Sequence, residues 1–87
     1  MPGNKPDFST FLLSLASSVM VHLGRVPDPG GEPTETNLDL ARHSIDLLAM
    51  LEEKTRGNLS PEEGQLMSRV LHDTRIAWLE EKKLRTS

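Results

Sequence analysis

The chain has no cysteine and no tyrosine, only two phenylalanines and one tryptophan, and no excess of positive charge. Each absence removes a class of protein. Without cysteine there can be neither a disulfide framework nor a thiolate zinc site, which fits a reducing cytoplasm. With Phe8, Phe11 and Trp78 as the only aromatic residues, the core must be built from Leu, Ile, Val, Met and Ala. A small aliphatic core is stable when it is well idealised or completed by another subunit. A net charge of −3 argues against nucleic acid, whose partners present a basic face. Eighty-seven residues make one domain, able to bury roughly 60–65% of its unfolded surface.

Long hydrophobic runs are also lacking. The one candidate, FSTFLLSLASSVMVHL from Phe8 to Leu23, follows Lys5 and superficially resembles a secretion signal. Asp7 abuts it, serines dilute it, and no small-residue cleavage site follows. As a helix it reaches about 24 Å, short of the ~30 Å hydrocarbon core. No membrane span is expected, and a cytoplasmic location is.

What the chain does contain is helical periodicity. In the first segment Phe8, Phe11, Leu12, Leu15, Ala16, Val19 and Leu23 form one stripe at 100° per residue. Leu13 and Met20 widen it to about 200°, twice the minimum apolar face of a surface helix. Asp7 is the expected N-cap, and Gly24 the left-handed residue that ends the helix. RVPDPGGEPTET follows, too rich in proline and glycine for helix or strand. A second helix is expected over 38–56, capped by Asn37, with Asp39 at the positive end of its dipole and Gly57 as its stop. Its apolar positions, Leu38, Leu40, Ala41, Ile45, Leu47, Leu48 and Leu51, again span about 200°. The third helix has the clearest start. Ser60 caps, Pro61 takes the first helical position and Glu63 completes a capping box. It is expected over 61–83, with Leu66, Met67, Val70, Leu71, Ala77 and Trp78 on the inner face. Residues 1–6 and 85–87 read as tails around a single domain over 7–84. The short TRGNLS connection makes helices two and three an antiparallel hairpin, and the longer first connector folds helix one across both. The expected fold is an all-α, three-helix antiparallel bundle completed by dimerisation.

Chemistry-bearing clusters are few. His22, His43 and His72, one per helix, would form a metal site only if their ring nitrogens converged to about 2.0–2.1 Å from one point. Helical wheels make them diverge: His22 flanks the inner stripe, His43 lies among Asp39, Asp46 and Lys54 on the polar side of the second helix, and His72 points outward. Asp39, His43 and Asp46 share a face at spacings that suit acid–base work, and equally suit ordinary surface pairing. Ser14, Ser17 and Ser18 have no base to activate them. No catalytic residue, cofactor or metal is therefore expected, nor an enclosed pocket.

The apolar surplus is the stronger signal. Leu13 and Met20 on the first helix, Leu40 and Leu47 on the second, and Ile76 and Leu79 on the third exceed what a lone three-helix core can bury. They are the candidate interface. A homodimer pairing through helices one and two is the expected occupant, with another protein as the alternative.

FSTFLLSLASSVMVHLG and NLDLARHSIDLLAMLEEKTRGNLS, followed by Glu62 and Glu63, resemble a bacterial domain-of-unknown-function family, number 1844. The likeness runs from Phe8 to Trp78, and its most specific piece is Lys54, Thr55, Gly57, Asn58 and Leu59. The resemblance implies a soluble bacterial helical protein with no assigned activity, cofactor or catalytic residue. The combined expectation is a non-enzymatic, self-associating interaction or structural module. Two rivals are a small metal- or ligand-binding protein using His22, His43 or His72, and a peripheral membrane protein with its first helix lying in the interface. The second lacks the usual cationic flank, since only Lys5, His22 and Arg25 are near.

Overall fold

The computed structural model describes residues 7–27, 30–31 and 35–86. The tail expected over 1–6, Ser87, and the connector prolines Pro29 and Pro33 lie outside them. Three helices make up most of the described chain: α1 (Phe8–His22), α2 (Leu38–Lys54) and α3 (Pro61–Thr86). All three pairs pack on one another, and no described residue is in a strand. The fold is an all-α three-helix bundle.

The helix ends follow from local chemistry. The Asp7 carboxylate accepts from the Thr10 amide and hydroxyl at 3.2 and 2.9 Å, occupying a backbone donor that the first turn leaves without a partner. At the other end Gly24 has φ +75°. This lets its N–H donate to the Val21 carbonyl while Arg25 N–H donates to Met20, both at 2.9 Å, a Schellman closure that few side chains other than glycine allow. Asn37 caps α2 by accepting from Leu40 N–H at 3.0 Å. Ser60 and Glu63 form the expected reciprocal box: Ser60 N–H donates to the Glu63 carboxylate at 2.9 Å, and Glu63 N–H to Ser60 Oγ at 3.1 Å.

Three boundaries differ from the expectation. α1 ends at His22, one residue short of Leu23, which is its C-cap. α2 ends at Lys54, two residues short of Arg56, because Thr55 leaves the helical region and its hydroxyl donates to the Leu51 carbonyl at 2.6 Å. α3 continues through Thr86, so residues 85 and 86 are helix and not tail. No proline or glycine follows Gly64, and Arg85 Nη2 donates to Thr36 Oγ1 at 2.6 Å, holding the last turn against the entrance to α2.

Topology is set where α1 gives way to α2. Asn37 N–H donates to the His22 carbonyl at 2.6 Å, and Thr36 Oγ1 to the Leu23 carbonyl at 3.1 Å. The C-terminus of α1 and the N-terminus of α2 thus meet. Trp78 Nε1 donates to the Leu38 carbonyl at 2.9 Å, which brings the C-terminal half of α3 to the same end. The helices run up, down, up.

The core is Leu12, Val19 and Leu23 from α1 and its cap, Ala41, Ile45 and Leu48 from α2, and Met67, Val70, Leu71 and Ala77 from α3. These positions follow the expected stripes at three- and four-residue spacing. Phe11 departs from the expectation: assigned to the inner stripe, it is 50% exposed, at the stripe's edge some 100° round from Leu12. Thr74 is the reverse, a polar residue fully buried among the apolar ones. Its hydroxyl donates within α3 to the Val70 and Leu71 carbonyls at 2.7 and 3.2 Å, so burial leaves no unmet bond.

Candidate interaction surfaces

The described surface places the chemistry-bearing side chains apart. His43 and His72 are exposed on different helices and His22 is half-buried near the end of α1. No group of three or more His, Asp or Glu among the described residues could hold a metal ion. The His22 carbonyl, meanwhile, accepts from Asn37, so this residue takes part in closing the α1–α2 junction. Ser14 Oγ donates back to the Thr10 carbonyl at 3.1 Å, a bond within its own helix that leaves no activated nucleophile.

Apolar side chains, in contrast, are prominent on the outside. Leu13 and Leu79 are each 54% exposed, Leu40 47% and Ile76 41%, four of the six candidate interface residues. The other two are half-buried: Met20 packs against the core, and Leu47 lies on a flank of α2. Phe11, Val26, Met50 and Leu84 join the exposed set, and sequence reasoning missed them. Phe11 was legible as an edge position. Met50 could have been found by its place opposite Ala41 on the α2 wheel.

Two parts of the surface stand out. One is the outer face of α1, where a shallow depression of about 590 Å³ lies over Thr10, Leu13, Ser14, Ser17, Ser18 and Val21 and reaches His22. On the wheel, Leu13 and Phe11 stand on either side of a strip made of Thr10, Ser14, Ser17 and Val21. From Phe8 to Val21 the helix has no Asp, Glu, Lys or Arg, whereas both other helices carry ionic residues on their outer faces. The other is a cleft between α2 and α3 lined by Arg42, Ile45, Asp46, Arg75, Trp78 and Leu79.

Ion pairs are few among the described residues. Arg25 bridges Glu80 at 3.0 Å and Glu81 at 3.2 Å, and Arg42 meets Asp46 at 3.4 Å. The hydrogen bond that Arg25 donates to Glu80 raises the Arg25 pKa above its ordinary value; burial opposes this and Glu81 adds to it.

A family model described as "Domain of unknown function (DUF1844)" matches residues 5–80. The chain belongs to the DUF1844 family. The match takes in α1, α2 and most of α3, so the family domain is the bundle itself. It includes the Lys54–Leu59 turn, where Gly57 adopts φ +86°. Comparison with curated proteins and with solved structures gives no match. DUF1844 membership brings no activity with it, and any reading of function rests on the two surfaces above. No described helix is long and apolar enough to cross a membrane.

Proposed function

We propose that the protein is a non-enzymatic interaction module of the bacterial cytoplasm that pairs with a second copy of itself through α1 and α2. The observation that carries this reading is the outer face of α1. It carries no Asp, Glu, Lys or Arg, with His22 at its C-terminal end, is small in side chain along Thr10, Ser14 and Ser17, and is edged by the exposed Leu13 and Phe11. Small residues let two helix backbones approach closely, and a strip without ionic side chains can be covered by another such strip without burying a charge. A second copy supplies one, by the self-complementarity of a two-fold interface. The face of α1 alone is about 22 Å long and 10 Å wide, below the ~800 Å² per partner of a standard interface. Leu40 and Leu47 of α2 extend it.

Light scattering on the untagged chain tests this. The expected mass is twice 9.7 kDa, persisting to about 10 µM. Ser14→Glu with Ser17→Glu places two like charges on each copy of the strip at exposed positions. It should yield a folded monomer, and Leu40→Glu should weaken the pair. A wild-type monomer at about 100 µM, or a dimer indifferent to the double variant, would overturn the proposal.

A further inference from the structure

We propose that the cleft between α2 and α3 around Trp78 docks an acidic, leucine-bearing helical segment of a second protein. Its floor is apolar: Ile45 is buried, Trp78 half-buried, and Leu79 lies more than half open to water. Its volume of about 260 Å³ falls below the ~300–1,000 Å³ of pockets that enclose free small molecules. It suits side chains projected from a partner helix lying along two antiparallel ones.

Charge decides what that partner carries. The Arg42 guanidinium and the Lys82 ammonium each lie 5.2 Å from the Trp78 ring centroid, within cation–π range, and Arg75 stands at the rim. Among the groups lining the cleft or lying over its ring, three are cationic and one, Asp46, is anionic, on a chain whose net charge is −3. Asp46 already accepts from Arg42 at 3.4 Å. Arg75 has no ion-pair partner among the described residues, so it is the group left to receive a carboxylate. The Trp78 indole N–H is committed to Leu38, which fixes the ring and leaves its exposed part for apolar contact. A local positive potential on an acidic protein selects and orients an acidic partner. A dense polyanion such as nucleic acid fits less well, because Asp46 lines the cleft and Asp39 stands exposed on the same side of α2.

This surface is separate from the one proposed for self-association. Leu40 and Leu47 lie about 100–160° round α2 from Arg42 and Asp46. The cleft therefore stays open in a dimer formed through α1 and that flank, and each copy would offer one docking site.

Trp78 is the only tryptophan, so its fluorescence reports this cleft directly. The probe is a capped helical peptide of about 14 residues, with Leu at i and i+4 and Glu at the flanking positions. Its control has every Glu replaced by Lys. Titration of the intact chain should give a saturable change in emission with the Glu peptide. The dissociation constant should rise roughly tenfold or more with Arg75→Glu, with Leu79→Ser and with the Lys peptide. Both substituted positions are exposed, circular dichroism should be unchanged, and light scattering of Arg75→Glu should match wild type, which separates this result from self-association. The proposal is overturned by any of three results: no saturable change up to about 1 mM, equal binding of the two peptides, or tighter binding of a single-stranded oligonucleotide than of the Glu peptide.

Discussion

Ser60 illustrates how much a single side chain can carry here. Its hydroxyl and the Glu63 carboxylate satisfy one another's backbone N–H groups at 2.9 and 3.1 Å, and α3 begins where they meet. Ser60→Ala should cost about 1 kcal/mol, read as a fall of roughly 4–8 °C in melting temperature for a domain of this size. Thr74 makes the opposite point. Fully buried, it bonds only to carbonyls of its own helix, so Thr74→Val, which keeps the shape and removes both donor and need, should change stability by less than about 1 kcal/mol. Leu48→Ala, at an equally buried but apolar position, should cost roughly 2–5 kcal/mol. Urea unfolding of the two variants side by side checks the contrast.

At the scale of the element, α3 is the helix whose sequence is least apolar, and its last turns are anchored by polar ties to the α1–α2 junction. Arg25 reaches Glu80 and Glu81, Arg85 reaches Thr36, and Trp78 reaches Leu38. The Arg25 bridges are partly solvent-exposed, so Arg25→Ala should destabilise by no more than about 1 kcal/mol, and by less as salt is raised. The sign of the pH effect follows from the raised Arg25 pKa. A cation whose folded pKa lies above its unfolded one contributes fully below the unfolded value and loses that contribution only as pH climbs through the folded one. For an arginine both lie far above neutrality, so the wild-type-minus-Arg25→Ala stability difference should show no slope from this guanidinium between about pH 5 and 9. Denaturant melts of both proteins across that range measure it.

For the whole molecule, one small aliphatic core must hold three helices whose apolar faces exceed it. With extents of 42 × 28 × 16 Å, the bundle is, across its thinnest direction, about one and a half helix diameters deep. Eight large apolar side chains remain exposed among the described residues, and Leu13, Leu40 and Leu79 sit on three different helices. Association is the physical use that such surface most readily has. The three histidines are dispersed over the same molecule, so zinc or nickel should leave the melting temperature unchanged. A rise with metal concentration would signal binding to the folded chain.

Caps, stripes and turn residues were legible in the sequence because they depend on neighbours within four positions. Asp7, Gly24, Asn37, Ser60 and Glu63 mark the helix starts and one stop, and the three- and four-residue spacing of Leu12, Val19, Ile45, Leu48, Val70 and Leu71 marks the inner faces. The end of α2 was misjudged by two residues, since a Thr55 hydroxyl competing for a carbonyl has no periodic signature. The candidate surfaces were legible as an apolar surplus, but not as a strip and a cleft. Only tertiary structure set Phe11 outside the core, Met20 against it, and Arg42, Arg75 and Lys82 around one indole. It also extended α3 to Thr86 by giving Arg85 an acceptor 49 residues away. Local propensity is encoded along the chain. Which flank of each helix stays open depends on how three helices pack, and that is decided by contacts between residues distant in sequence.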